Sequence, residues 1–383
     1  MGLRDDAPAL ALRGIAMAQL GDFARARLLV KLAARTFGSR EALARARCVV
    51  AEAEIALAAR DLAWPAKALD HARAALEAHG DRVNGAHARY LAIRRLLLLG
   101  QLDEAESELA RLDASRAPAA LRAIHELALA GIAMRRLQAK SARAALERAL
   151  QAARAARIPA LMAEVAGAMQ LLRAPAARLI ARGTERLLTL GEIEDVLASD
   201  VLVVDACRYL VRDAAHEVRL MRRPVLFTLA RALAEAWPGD ATRAALVARA
   251  FRAREADESY RARLRVELGR LRTVLRKSAA LNATPRGFAL VPHPARDVVV
   301  LAPPVEEEHA AVLALLADGE SWSSSALALA LRTSQRSVQR ALDSLGAAGK
   351  VQALGRGRAR RWTMPPVPGF ATGLLLTAAL PTD

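Results

Sequence analysis

Cysteine is almost absent from this chain, which holds only Cys48 and Cys207 among its 383 residues. Two cysteines so far apart in sequence form neither a disulfide framework nor a metal-ligand pair, so we expect a reduced, cytoplasmic setting. The N-terminal residues show no signal-peptide pattern. No apolar run reaches the roughly 18 residues that a membrane-spanning helix needs, so we expect no membrane partner.

Catalytic and ligand-binding motifs are also missing. The seven histidines are scattered, and His71 and His79 share a predicted helix with no third ligand nearby. The chain contains no phosphate-binding GxxxxGK[ST] loop and no GxSxG nucleophile motif. We therefore expect no catalytic residues, no metal site and no cofactor, and we predict that the protein is not an enzyme.

Lysine is scarce as well: five lysines stand among 57 basic residues, beside abundant arginine and alanine. This bias is typical of a GC-rich bacterial genome. The formal net charge is +17, and much of it is concentrated in two short segments. Residues 261–277 carry seven Lys or Arg against one Glu, and residues 332–361 carry eight against one Asp. Clustered basic charge indicates contact with nucleic acid more strongly than the total does.

The first half of the chain is poor in β-branched and aromatic residues, and its Ala/Leu/Arg-rich pattern predicts helices almost throughout. Turn-like segments recur at Gly21, Arg60, Gly100 and Gln138, spaced by 39, 40 and 38 residues. This period is longer than the roughly 34 residues of tetratricopeptide repeats (TPR) but has their helix–turn–helix order. We predict about four TPR-like hairpins and a connecting helix through Arg182. The alternative is a helical bundle that serves only as a scaffold.

Residues 259–290 predict a basic amphipathic helix followed by a short β-hairpin. Leu264, Leu268, Leu271 and Leu275 recur at helical spacing and indicate one buried face. The opposite face mixes small residues with arginines, namely Ala262, Arg265, Val266, Gly269, Arg270, Thr273 and Arg276. Such a face can approach a DNA duplex closely while its guanidinium groups reach phosphates and guanine edges.

Further elements are predicted upstream of this helix. Alternating or apolar runs predict short strands of a small antiparallel sheet at 201–205, 208–212 and 217–220. A helix is predicted over 222–236, and Thr242 is a candidate N-cap for a second helix. The predicted order is therefore strands, three helices and a hairpin.

This order resembles the winged-helix output domain of OmpR/PhoB-type regulators, which is also found in SARP-type activators. The segment LRVELGRLR at 264–272 is similar to the family pattern VDVHISRLR, and TPRGF at 284–288 resembles the wing TVRGxGY. The chain departs from the family at Ala262 and Gly269, where many members place a polar or basic residue, and at Glu267. The resemblance implies a DNA-binding winged helix, which we place at 195–293.

Residues 304–366 predict a second winged-helix domain. Helices expected at 307–317, 323–331 and 333–345 precede a hairpin whose tip is GRGR. The run SQRSVQRALDSLGAAGKVQALGRGRARRW resembles MarR/DeoR-like winged helices, which implies that its third helix faces DNA. A glycine-arginine wing tip suits a minor groove or the phosphate backbone. Residues 367–383 are then expected to form a tail.

The expected fold class is mainly α: an N-terminal TPR-like helical repeat domain (1–182) followed by two winged helix-turn-helix domains of the α+β type. Nothing before residue 195 reads as alternating strands and helices, which excludes the phospho-acceptor receiver domain usual in OmpR/PhoB-type regulators. The residues expected to contact DNA are Arg261, Arg263, Arg265, Arg270, Arg272, Arg276, Thr284, Arg286, Ser334, Gln335, Arg336, Gln339, Arg340, Arg356 and Arg358.

These patterns predict a sequence-specific transcriptional regulator that binds double-stranded DNA in the bacterial cytoplasm, associated with the nucleoid. We expect the helical repeat domain to mediate homodimerisation or partner sensing, and RNA polymerase is a candidate partner. Two alternatives stay open. One is a protein-interaction adaptor whose winged helices dock on another complex, and the other is a DNA-binding component of a mobile-element or defence system.

Overall fold

A computed structural model describes residues 6–38, 40–251, 258–304, 309–316, 321–331, 333–355, 357 and 360–363. The described chain is mainly helical with some sheet. It divides into two compact units: the first is drawn from 1–136, 140–172 and 308–383, and the second from 137–139 and 173–307. Across these described ranges, no helix is long and apolar enough to cross a membrane.

A helical array forms the N-terminal part of the chain. Its helices are α1 Ala7–Gln19, α2 Phe23–Thr36, α3 Ala42–Ala58, α4 Ala66–Ala78, α5 Arg82–Leu98, α6 Leu102–Ala110, α7 Ala119–Arg135, α8 Ala139–Ala156 and α9 Pro159–Arg173. From α1 to α7 each helix packs against the next one in sequence. Asp6, Asp22 and Asp81 cap α1, α2 and α5, each accepting a hydrogen bond from the N–H three residues later.

The turns between paired helices fall where the repeat predicts them. Gly21, Arg60, Gly100 and Leu137 have positive φ values of 82°, 51°, 68° and 60°. At the first three turns, the N–H of the next residue donates to the carbonyl five residues before it, as in a Schellman motif. The fourth turn lies one residue before the predicted Gln138. The helix–turn–helix order is therefore present, and its assignment to the TPR type stays a prediction.

The predicted connecting helix through Arg182 is wrong. Helix α9 ends at Arg173, and a hairpin of β1 Pro175–Ala181 and β2 Thr184–Thr189 follows it in the second unit. Arg182 and Gly183 form the two-residue turn with φ values of 49° and 76°. Arg-Gly is a weaker signal for such a turn than Asn-Gly, and short apolar runs fit a helix as well as a strand. This hairpin lies before residue 195, where the sequence predicts no alternation of strands and helices; a single hairpin is not such an alternation.

The second unit combines two sheets with helices. Its other elements are α10 Leu190–Ala198, β3 Val201–Asp205, β4 Leu210–Arg212, β5 Glu217–Arg219, α11 Pro224–Ala236, β6 Asp240–Thr242, α12 Arg243–Phe251, α13 Glu258–Leu275, β7 Ala279–Ala283, β8 Gly287–Pro292 and β9 Asp297–Ala302. The strands and helices predicted over 201–275 are thus confirmed, including the Thr242 cap, whose Oγ1 accepts from the Ala245 N–H at 3.2 Å.

The larger sheet extends beyond the small antiparallel sheet that the sequence predicts. Its strand order is β2-β1-β9-β3-β4-β5, in which β3 and β9 pair in parallel and the other neighbours are antiparallel. The smaller sheet has the order β6-β8-β7 and is antiparallel. Apolar residues of α11, α12 and α13 share one core with residues of both sheets, so the hairpin β7–β8 is anchored to the helices.

The C-terminal part of the first unit is a small module of helices and a hairpin. It contains α14 Ala310–Leu316, α15 Ser324–Ala330, α16 Gln335–Ala347, β10 Gln352–Leu354 and β11 Arg361–Thr363, so the three predicted helices and the hairpin are present. Trp322 and Trp362, both buried, exchange two backbone hydrogen bonds of 2.7 and 2.8 Å. Leu62, from the turn between α3 and α4, lies in the same apolar cluster. The module is therefore continuous with the helical array.

Candidate nucleic-acid interface

Helix α13 buries one face and exposes the other, as its sequence predicts. Leu264, Leu268, Leu271 and Leu275 are each no more than 2% exposed. They lie in the core shared with α11 and α12. Burial of these four leucines fixes the rotation of the helix and therefore decides which residues face solvent.

The exposed face of α13 carries small side chains at its centre. A Cβ atom added to Gly269 would meet nothing within 4 Å, and Ala262 and Thr273 are exposed. Val266 is 54% exposed. Side chains this small let another molecule come close to the helix backbone, which is the geometry needed in the major groove of DNA.

Three of the predicted arginines already bind glutamates on their own helix. Arg261 and Arg265 lie 3.8 and 3.0 Å from Glu258, and Arg270 Nη1 donates to Glu267 Oε1 at 2.7 Å. The arginine side chains remain 58–67% exposed. Exposed ion pairs contribute only about 0–1 kcal/mol, so these guanidinium groups can exchange their partners for DNA at little cost.

Arg272 holds the hairpin against the helix. Its Nε donates to the Leu281 carbonyl on β7 at 2.9 Å, and its guanidinium lies 5.9 Å from the centre of the Phe288 ring. The structure therefore places Arg272 in a positioning role. The other two predicted contact residues of this segment do not contact the hairpin in this way. Arg263 lies 4.6 Å over the Phe251 ring, and Arg276 is exposed.

The turn between β7 and β8 is shaped by Thr284. Its Oγ1 donates to Asp240 Oδ2 at 2.6 Å and accepts from the Gly287 N–H at 2.9 Å. The hydroxyl is thus engaged inside the protein. Arg286 is 74% exposed, with its Nε 3.7 Å from Asp240 Oδ1, so the turn presents one accessible guanidinium.

Arg243, which the sequence analysis did not single out, completes this turn. Its Nη1 donates to the Pro285 carbonyl at 2.9 Å and its Nη2 to the Thr284 carbonyl at 3.0 Å. Its guanidinium also lies 5.5 Å from the centre of the Phe288 ring. The first residue of α12 therefore fixes the hairpin turn. These contacts span about 40 residues of sequence, so no local pattern signals them.

Gly287 is required by close approach of two strands. A Cβ atom at this position would lie 1.8 Å from the Ala241 carbonyl oxygen. The reason is the pairing of β6 with β8, in which Thr242 stands opposite Gly287. Any side chain here would push the hairpin away from β6.

An acidic residue joins the helices behind the interface. Glu235 on α11 accepts from Arg231 Nε at 2.6 Å and also from Arg249 on α12. Burial raises the pKa of Glu235, but the hydrogen bonds from Arg249 and Arg231 outweigh burial and hold the pKa below its usual value. Glu235 is therefore charged at neutral pH and ties α11 to α12.

In the C-terminal module, three of the predicted contact residues bind within the module. Ser334 Oγ caps α16 by accepting from the Ser337 N–H at 3.1 Å. Gln335 Nε2 donates to Ser324 Oγ at 3.0 Å, which joins α15 to α16. Gln339 Nε2 donates to Asp343 Oδ1 at 2.8 Å.

Two arginines of the same helix face solvent. Arg336 and Arg340 are exposed one turn apart on α16, while Val338, Leu342 and Leu345 are buried. Arg356 and Arg358, predicted at the wing tip, lie outside the described residues. Among the predicted contact residues of this module, Arg336 and Arg340 are the described cations accessible to a ligand.

Metal-binding clusters and a reactive thiol at Cys48 are the other kinds of site that the described residues could form. No group of three or more His, Cys, Asp or Glu side chains in the described ranges is placed to hold a metal ion. Burial raises the pKa of the Cys48 thiol to about 11, so it is protonated at neutral pH and a poor nucleophile.

Comparison with known proteins gives no relative: no family model, curated protein or solved structure matches this chain.

Proposed function

We propose that this protein is a sequence-specific DNA-binding transcriptional regulator, and that residues 195–293 contain its principal DNA-binding domain, a winged helix similar to that of OmpR/PhoB-type regulators. In this proposal α13 enters the major groove. Arg286, at the hairpin turn, contacts the neighbouring backbone or minor groove.

The exposed face of α13 is the observation that carries the proposal. Small residues at its centre leave room for base edges, and accessible arginines such as Arg265 and Arg270 flank them. Arginine can bind the O6 and N7 atoms of guanine with two hydrogen bonds, which gives sequence specificity. A helix face that only contacted solvent would not need this combination.

The elements around α13 give further support. The order α11, β6, α12, α13, β7 and β8, with β6 pairing to the hairpin, agrees with a winged helix. Arg243, Arg272 and Thr284 hold the hairpin to the helices. A hairpin fixed in this way can position Arg286 relative to α13, as a wing requires.

The salt dependence of duplex binding tests this proposal. Apart from Arg272, which holds the hairpin, the described arginines predicted to contact DNA are all exposed: Arg261, Arg263, Arg265, Arg270, Arg276, Arg286, Arg336 and Arg340. If about six phosphates are neutralised, a plot of log K against log[salt] should have a slope near −5, at about 0.9 per phosphate. Fluorescence anisotropy with a labelled duplex measures it. A flat plot, or no duplex binding at about 50 mM salt, would contradict DNA binding.

A second candidate function, protein-interaction adaptor, is favoured for the C-terminal module by one observation. The module shares its core with the helical array through Leu62, and Arg60 lies 5.5 Å from the centre of the Trp322 ring. Because the module and the array share a core, binding of a partner protein to one can affect the other. The combined variant Arg336→Ala, Arg340→Ala distinguishes the functions: a DNA-reading module loses affinity and about two units of salt slope, whereas an adaptor leaves both unchanged.

A further inference from the structure

A cavity of about 430 Å³ lies within the helical array, between α3, α4, α5 and α6. Its wall combines charged side chains with apolar ones, which include Ala53, Leu57, Trp64, Leu69 and Leu91. Sites for small molecules in proteins measure about 300–1,000 Å³ and combine an apolar wall with a few polar groups. The cavity has the size and the wall of such a site.

Arginines dominate the polar part of the cavity wall. Arg73 and Arg89 share one carboxylate, Glu77, at 3.4 and 2.8 Å. Arg95 binds no carboxylate among the described residues; its Nη2 donates to the Leu62 carbonyl at 3.2 Å. The wall therefore contains a guanidinium group that is not paired with a carboxylate of the described residues.

The acidic residues of the wall do not cancel this positive charge. Asp61 binds Arg27 at 2.7 Å, and Glu108 binds Arg111 at 2.6 Å, so each of these carboxylates has its own cation. Asp70 is exposed. The interior of the cavity is thus apolar and positively charged at Arg95, which is the environment that suits an anion attached to an apolar body.

We propose that this cavity binds a small amphipathic carboxylate. The apolar body of the ligand lies against Trp64 and Leu69, and its carboxylate pairs with the Arg95 guanidinium. Binding gives this cation an anionic partner and removes apolar surface of ligand and cavity from water. Because Arg95 also holds the Leu62 carbonyl, the ligand binds next to the turn that enters the core of the C-terminal module.

A displacement assay with the full chain tests the proposal. The fluorescent probe 8-anilinonaphthalene-1-sulfonate, an aromatic anion, is bound first and then displaced with octanoate or with octan-1-ol, which has the same chain length and no charge. Octanoate should displace the probe at a concentration at least tenfold lower than octan-1-ol does. Arg95→Met should abolish this preference. Arg122→Met is the matched control, because Arg122 also donates to a carbonyl, that of Ala117 at 2.8 Å, but does not line the cavity.

A second variant keeps the test valid if Arg95→Met does not fold. Ala92→Phe fills the cavity and leaves Arg95 in place, so it should prevent displacement by both compounds while the circular dichroism spectrum stays that of the wild type. The proposal is overturned if octan-1-ol competes as well as octanoate in the wild type or if no displacement occurs there. It is also overturned if Arg95→Met keeps the preference or if a folded Ala92→Phe protein still binds octanoate.

Discussion

At the scale of single residues, arginines of one segment have different roles. Arg270 and Arg272 are two positions apart on α13, yet Arg270 is exposed beside Glu267 and Arg272 is tied to the Leu281 carbonyl. Composition cannot separate these roles, since both are arginines of one basic helix. Their positions relative to the buried leucines and the hairpin separate them.

We expect Arg270→Ala to weaken binding to a specific duplex by about 1–3 kcal/mol and binding to a scrambled duplex by less, because Arg270 can reach guanine edges. Anisotropy titrations with a duplex selected from a random pool and its scrambled version would measure both losses. Arg186→Ala is the control: Arg186 also binds a carboxylate at 2.7 Å and is 56% exposed, but it lies on β2. Equal losses on the two duplexes would make Arg270 a phosphate contact.

Periodicity predicted which face of α13 is buried, and its four leucines confirm it. The positions of Arg243 and Thr284 could not be predicted in the same way. Their partners depend on how α12, β6 and the hairpin meet in three dimensions. Glu258 and Glu267 lie three residues before Arg261 and Arg270, so helical spacing could have signalled these two pairs.

At the scale of elements, the position of α13 depends on α11 and α12, which Glu235 joins through Arg231 and Arg249. The pKa of Glu235 is lowered in the folded protein, so its charged form stabilises the fold at any pH above the unfolded value near 4.5. That stabilisation is lost as the pH falls through the lowered folded pKa. The protein should therefore be less stable in acid, and Glu235 should account for part of the loss.

Glu235→Gln should lower the free energy of unfolding at pH 7 by about 1–3 kcal/mol, because two arginines lose their carboxylate. The difference from the wild type should shrink towards pH 3, where the wild-type carboxyl is also becoming neutral. Urea denaturation at both pH values tests this. Glu185→Gln, at an exposed pair with Arg178, is the control and should cost under about 1 kcal/mol. A difference that does not change with pH would show that Glu235 acts by packing alone.

The strands show where sequence patterns are insufficient. The strands predicted at 201–205 and 217–220 are bounded by polar breaks and are present, whereas β1 lies in the predicted connecting helix and β2 has no predicted counterpart. Leu179 and Ile180 fit either structure locally, and their pairing with Leu301 and Val300 on β9 decides for a strand. That pairing joins residues about 120 positions apart, which no local window contains.

At the scale of the whole molecule, the division into domains is less simple than the sequence suggests. The C-terminal module reads as an independent winged helix, yet its core includes Leu62 of the helical array, and Arg60 lies over Trp322. Arg60 and Leu62 belong to the turn between α3 and α4, whose sequence does not distinguish it from the other turns of the repeat. These shared residues are where binding to the array could be coupled to the C-terminal module.

We also propose that the helical array mediates self-association. Leu28 and Leu32, one turn apart on α2, are 68% and 47% exposed, and Leu12 of α1 is 59% exposed. Exposed leucines grouped in this way form an apolar surface that a second copy of the chain could cover. A dimer would also bring two DNA-binding domains together, so that the second contact with DNA becomes intramolecular.

We therefore expect the full chain to sediment as a dimer at micromolar concentration, and the combined variant Leu28→Lys, Leu32→Lys to sediment as a monomer. The variant should keep the wild-type circular dichroism spectrum, because both side chains already face solvent. Its affinity for a duplex with two sites should fall by about 10²–10⁴-fold, while its affinity for a single site should change little. Leu187→Lys is the control, since Leu187 is 52% exposed on β2, outside the array. A wild-type chain that sediments as a monomer, or a variant that stays dimeric, would rule out this surface as the dimer interface.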